Sequence, residues 1–402
     1  MNGTQSPRRI AFVGSYAGDP GKGETGGITV VEISGDTTAV HLRQLDHTVL
    51  PGEAGYLAYA TSTGTLYAVD ERKNDGRGPV GPAASVHSLT LDPSTGTLTP
   101  LNQLVAPGPF PTYLALDERH GWLLTANHGS FDHVEKVRRT EQGTWVTDLV
   151  YDDSTVILYR LDTDGRIGDI ADLVVLEGHG IDPNTSLQAG GHGQASAHAH
   201  SVVIDPSGQF VLVGDKGTDR ILVFRLGAPL ELESAFEAGA QTGPRHIAFD
   251  PATGRAYVTY EFSSELASFD FDPATGQLSL VDRCPTTAGP VGRTNEPADV
   301  RVHPAGGLVY VNNRGEDTLA WFRVDAEGRL DRAGDVRLAD SIHPGLAARS
   351  FAFDRTGGLL LVADRPANLL RGYAVNAASG DLTPVVELAL PQPAFVVVAE
   401  LS

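Results

Sequence analysis

Ionisable side chains recur at matching places in a series of similar segments. Five residues before a turn position, at the start of each segment's first strand, stand Gly55, Thr112, His200, Arg245, Ala298 and Arg349. Just beyond the second strand's apolar run come Tyr16, Glu71, His128, Lys216, Glu261, Arg314 and Arg365. The two strands form a hairpin, so its start and end share one rim, and both sets converge there. Setting Phe249 opposite Ala256 brings Arg245 beside Glu261, His200 beside Asp215 and Lys216, and Arg314 beside Asp299. Any one charged residue at a loop end is ordinarily a solvated one. The pattern carries more weight: Arg245, Arg314, Arg349, Arg365, Lys216 and His200 gather on one rim of a chain with net charge -20. Such a basic focus suits a small anion bearing carboxylate or phosphate.

The elements that position these residues are repeats. Ser201–Asp215, His246–Tyr260, Val300–Asn313 and Ser350–Asp364 each read as strand, turn, strand, most with an Asp-centred turn closed by glycine. Weaker copies run over 113–127 and 56–70. Third strands follow, such as Arg220–Arg225 and Leu319–Val324, and a fourth fits at Gly328–Arg332. Spacings of 45 residues from Asp205 to Asp250 and 51 from His303 to Asp354 suit a four-stranded blade. The expected fold is all-β: a seven-bladed β-propeller of four-stranded antiparallel blades, with one domain spanning 1–402. Six units lie between Gly55 and Asp364. Ala394–Ala399 and Arg9–Ser15 lack hairpin partners of their own, so pairing the two termini in a seventh blade closes the ring. An open solenoid, the rival architecture, lacks the polar capping repeats it needs. An insertion around 130–197 contributes outer strands such as Val156–Tyr159, and 177–193 reads as a long loop, the kind that often carries function.

Composition narrows the class. The chain has 402 residues, 41% hydrophobic and 20% charged, with 46 Gly and 25 Pro, as many short strands and tight turns require. Its acidic balance argues against nucleic acid or an anionic membrane as partner. Cys284 is the single cysteine, so no intrachain disulfide can form, and a reducing compartment is expected. The short polar start, Met1–Arg9, has no signal-peptide core, and no apolar run reaches membrane-spanning length. A cytoplasmic location follows as the expectation. Trp122, Trp145 and Trp321 read as packing residues. The oligomeric state is left open.

The segments Ala197–Val202, Asp215–Arg220, Gly243–His246 and Asn312–Gly315 resemble the seven-bladed lactonase family, over nearly the whole chain and most strongly from Ala197 to Thr383. That family contains propeller-type 6-phosphogluconolactonases and fungal carboxy-muconate cyclases. By motif, the resemblance assigns catalytic positions to His200, Arg245, Glu261 and Arg314. His198, Lys216, Arg349, Arg365 and His128 are the expected substrate-binding residues around them. The chain departs from the family pattern at Pro111–Tyr113 and in its longer insertion.

The resemblance implies a hydrolase that opens a small anionic sugar lactone, 6-phosphogluconolactonase-like. Opening a lactone needs a water made nucleophilic and an oxyanion held as it forms. His200 or Glu261 is placed for the proton transfer, and Arg245 and Arg314 for the anion; Glu261 serves equally well as a structural partner of Arg245. Cycloisomerisation of a carboxylated diene acid and non-catalytic binding are the alternatives. His179, His192, His198 and His200 invite a metal reading, but no helix-spaced pair or cysteine accompanies them, so neither metal nor cofactor is expected.

Overall fold

In the computed structural model, described over residues 7–37, 39–73, 83–181, 191–290, 294–342 and 345–401, seven four-stranded antiparallel sheets form the blades of a propeller. The inner strands of blades two to seven are Ala54–Ala60, Pro111–Asp117, Ala199–Ile204, Pro244–Phe249, Glu296–Val302 and Ser350–Phe353. Blade one takes its inner strand, Pro393–Leu401, from the C-terminal end, and it pairs with Arg8–Ala17. Each inner strand packs against the next around the ring, and Pro393–Leu401 touches its neighbours on both sides. The expected closure by the two ends is therefore the one observed.

Local chemistry builds each hairpin. Asp205 Oδ1 accepts hydrogen bonds from the backbone N–H groups of Gln209 and Phe210, at 2.9 and 2.7 Å, and so folds the turn back on itself. Asp354 does the same for Leu359. In blade six the position is His303, whose Nδ1 accepts from Ala305 N–H. Apolar side chains from successive blades then stack between sheets, with Phe210, Tyr257, Tyr310 and Phe351 fully enclosed.

The insertion folds into a two-stranded hairpin, His133–Arg139 with Trp145–Tyr151, ahead of the outer strands Ser154–Leu161 and Ile167–Leu176 of blade three. Trp145 is 68% exposed on this hairpin, which corrects its reading as a packing residue, because the hairpin stands off the blades. Trp321 is buried as expected. Of the loop expected at 177–193, residues 182–190 lie outside the described residues. No helix among the described residues is long and apolar enough to cross a membrane.

Candidate active site

Six of the seven inner strands carry one extra residue at a single mouth of the channel. In blade four, Ala199 pairs with Asp215 and Ser201 with Gly214, which leaves His200 as the extra residue. In blade five, Pro244 pairs with Tyr260 and Ile247 with Val258, so Arg245 and His246 together oppose Thr259. Blades two, three and six repeat the irregularity, the third at Thr112. Such bulges bend a strand and re-aim its side chains, here into the channel. The side chain opposite each bulge satisfies the loosened backbone. Thr259 Oγ1 accepts from His246 N–H at 3.1 Å and donates to Ala298 O of the next blade, also at 3.1 Å. Asn312 likewise accepts from Asp299 N–H and donates to Ala348 O.

At the centre of this mouth sits a buried charge cluster. Glu261, with no exposed surface, lies 2.7 Å from Nε of Arg245, 3.2 Å from Nη2 of Arg314 and 3.0 Å from Nζ of Lys216. Burial alone would raise the Glu261 pKa, but Lys216, Arg314 and Arg245 outweigh it and hold the carboxyl below its ordinary range. Burial also lowers the Lys216 pKa and brings Arg245 down to about 10, so Arg245 keeps its charge at neutral pH. A second buried carboxylate, Glu296, lies 3.5 Å from Arg314, whose Nε also donates to Glu296 O. Arg314 therefore pairs with Glu296 and not, as the spacing suggested, with Asp299. The register places Glu296 opposite Arg314, and Asp299 falls deeper in the channel.

Above the cluster opens a cavity of about 290 Å³, lined by His200, Lys216, Arg245, Arg314, Arg349 and His128, together with Glu71, Thr112, Phe131 and Gly345. Its size is at the lower limit for a small-molecule site. Four cations line it, and with Glu261 and Glu296 beneath and Glu71 on the wall, positive charge is in excess by one. On one side His128 stacks on His198 at 4.5 Å and meets His200 edge-on at 5.5 Å. Burial first, then Arg245 and Lys216, push the His200 pKa well below the ordinary histidine value, so its ring is neutral at pH 7. On the other side Tyr16 donates a hydrogen bond to Glu71 and accepts one from Arg349 Nη1 at 3.2 Å.

The structure thus brings together six of the nine residues named from sequence: His200, Arg245, Arg314, Lys216, Arg349 and His128. Glu261 lies beneath the cavity as their counter-ion. His198 stands behind His128, its Nδ1 donating to His128 O at 2.8 Å. Arg365 is set back from the cavity, with its Cζ 4.7 Å from the Tyr16 ring centroid and Nε bonded to Gln392. Sequence reasoning missed Phe131 and Gly345, which lie in irregular segments that no repeat marks. It also did not separate out a deeper layer, one residue beyond the first set in each repeat: Tyr56, Tyr113, Ser201, His246, Asp299 and Ser350, of which only Asp299 was named at the rim, as a neighbour of Arg314. Shifting the repeat alignment by one position would have exposed it. Among the described residues no group of three or more His, Cys, Asp or Glu is arranged to hold a metal ion.

Comparison with known proteins agrees with this architecture. A 6-phosphogluconolactonase of Bacillus subtilis is 26% identical over 378 residues, 93% of this chain and 93% of the relative. One from Pectobacterium atrosepticum is 26% identical over 368 residues, 90% of this chain and 93% of the relative. A solved Lactobacillus plantarum protein superposes with TM-score 0.78 at 26% identity, covering 98% of this chain and 100% of that one. The periplasmic gluconolactonase of Pseudomonas aeruginosa shares the fold, with TM-score 0.77 at 24% identity over 97% of this chain and 99% of its own. The model for lactonases with a seven-bladed β-propeller matches residues 10–398, and the chain belongs to that family.

Proposed function

We propose that this protein hydrolyses a small anionic sugar lactone, with 6-phosphogluconolactone as the best-fitting substrate. One observation carries the reading: a neutral histidine and a buried, charged arginine line the same small cavity, together with three further cations. In this reading the phosphate or carboxylate of the substrate lies against Lys216, Arg314 and Arg349, and the lactone carbonyl points to Arg245. His200 takes a proton from water as the oxygen attacks the carbonyl carbon. The tetrahedral oxyanion forms beside Arg245, whose Nη1 is buried and has no other hydrogen-bond partner among the described residues. Collapse breaks the bond to the ring oxygen, which takes the proton back from His200. The product is an open-chain hydroxy acid, and no cofactor enters the balance.

Glu261 is not the base in this account. A carboxylate held ionised by three cations has little proton affinity, and it lies outside the cavity wall. Its role is to hold Arg245 and Arg314 at fixed positions. Acid release from 6-phosphogluconolactone above the spontaneous rate, lost in Arg245→Met, supports the reading. Equal turnover by the wild type and Arg245→Met would remove the cavity as the site.

A further inference from the structure

His200 is useful as a base only if the nitrogen facing the cavity carries the lone pair, and something must set that tautomer. Its Nδ1 is sealed from solvent with no hydrogen-bond partner among the described residues. The ring itself lines the cavity, so Nε2 is the nitrogen on the substrate side.

Behind His200 lies His246, the next inner strand's bulge residue, with ring centroids 5.1 Å apart. His246 Nδ1 is 3.0 Å from Asp299 Oδ1. Asp299 also accepts from Val300 N–H at 3.0 Å and from Arg301 Nε at 3.2 Å. Burial alone would raise its pKa, but Arg301 and His246 outweigh it and hold the carboxyl below the ordinary range, ionised at neutral pH. The proton between His246 and Asp299 therefore sits on His246 Nδ1. Burial and Arg245 keep His246 neutral, pushing its pKa down to about 4 against the pull of Asp299. A neutral imidazole protonated at Nδ1 presents a lone pair at Nε2, and His246 Nε2 is likewise buried without a partner.

We propose that Asp299 and His246 are positioning residues that fix the tautomer of His200. The His246 Nε2 lone pair accepts a hydrogen bond from His200 Nδ1–H through one bridging water and leaves His200 Nε2 free to take a proton at the cavity. The inference deepens the hydrolase reading and rests on His200 being its base. The layout is a carboxylate, a histidine and a second histidine on three successive blades, with the first two outside the cavity. The other charged or titratable groups facing His200 are Arg245, Lys216 and His128. His128, edge-on to His200 at 5.5 Å, is the rival acceptor, because its Nδ1–H is committed to Gly129 O at 2.8 Å and its buried Nε2 is then also a lone pair without a partner among the described residues. Only a relay through His246 makes the His200 tautomer respond to Asp299.

The test is ¹⁵N NMR of the imidazole nitrogens in the substrate-free protein at neutral pH, with His200 assigned by its absence from His200→Gln. The wild type should show His200 protonated at Nδ1. Asp299→Asn, whose amide can donate to His246 Nδ1, should invert both rings in turn and lower kcat about 10²- to 10⁴-fold with KM nearly unchanged. His246→Phe, which removes the acceptor and keeps a flat ring, should abolish the single-tautomer signal. A wild-type His200 protonated at Nε2, or a tautomer unmoved in a folded Asp299→Asn, would overturn the proposal. An inverted tautomer with kcat intact would leave the relay standing and instead remove His200 as the base.

Discussion

The Glu261 carboxylate lies 2.7 Å from Nε of Arg245, and neither side chain is more than 2% exposed. This pair joins the end of one strand to the start of its hairpin partner, and with Lys216 and Arg314 it ties three neighbouring blades together at the mouth. Its strength comes from completeness: three cations around one buried carboxylate, with Glu296 as a second.

Glu261→Gln removes the common partner and leaves those cations buried with too little counter-charge. Breaking a buried charge pair of this kind costs about 3–5 kcal/mol. Chemical denaturation should show a loss of that order. Lys216→Met should cost less, because Glu261 keeps both arginines.

Arg245→Met should reduce kcat/KM for the lactone about 10²- to 10³-fold, the usual penalty for losing a donor to an oxyanion. Because the arginine is also a structural ion-pair partner, thermal unfolding should be recorded in parallel. Arg365→Met, set back from the cavity, should leave kcat/KM within about 3-fold, a surface-like effect.

Acid should destabilise the fold through its buried histidines. His198 and His246 have pKa values pushed down to about 4, and His128 and His200 lie well below the ordinary value, in each case chiefly by burial. In the unfolded chain these rings take up protons near pH 6.5, whereas in the folded chain they do not. The unfolded state therefore binds more protons as pH falls from about 6.5 toward 4, and stability drops over that window. Melting temperature measured across it should decline steadily. A flat profile would show that these rings are accessible to water.

Glu71 gives the cavity an acceptor for hydroxyl groups. Tyr16 occupies its Oε2, and Oε1 is left facing Arg349 Nη1 at 3.9 Å, an ion-pair distance longer than a hydrogen bond. Glu71→Gln should raise KM for a polyhydroxylated lactone about 10-fold or more, the worth of a charge-assisted hydrogen bond. A hydroxyl-free lactone of equal charge should be nearly unaffected. Equal effects on both would mean that Glu71 only balances charge.

The fold was legible in the sequence because the turn aspartates and alternating apolar runs recur at blade spacing, and the unpaired end segments could close the ring only together. The rim members were legible for the same reason: equivalent positions in a repeat share a height along the channel. The bulges were not. One extra residue in an inner strand is invisible in a hydrophobic pattern, yet it decides that Arg314 meets Glu296 and that Asp299 meets His246. Phe131 and Trp145 escaped because the insertion follows no repeat. The role of Glu261, left open between base and partner, is argued from its burial, which spacing alone cannot report.

The most direct measurement is acid release by the purified wild type from 6-phosphogluconolactone and, under the same conditions, from unphosphorylated gluconolactone. The account predicts turnover of the phosphorylated lactone well above its spontaneous rate, with kcat/KM at least about 10-fold greater than for the neutral sugar lactone, as one charged contact can supply. Turnover of neither above the spontaneous rate would contradict it.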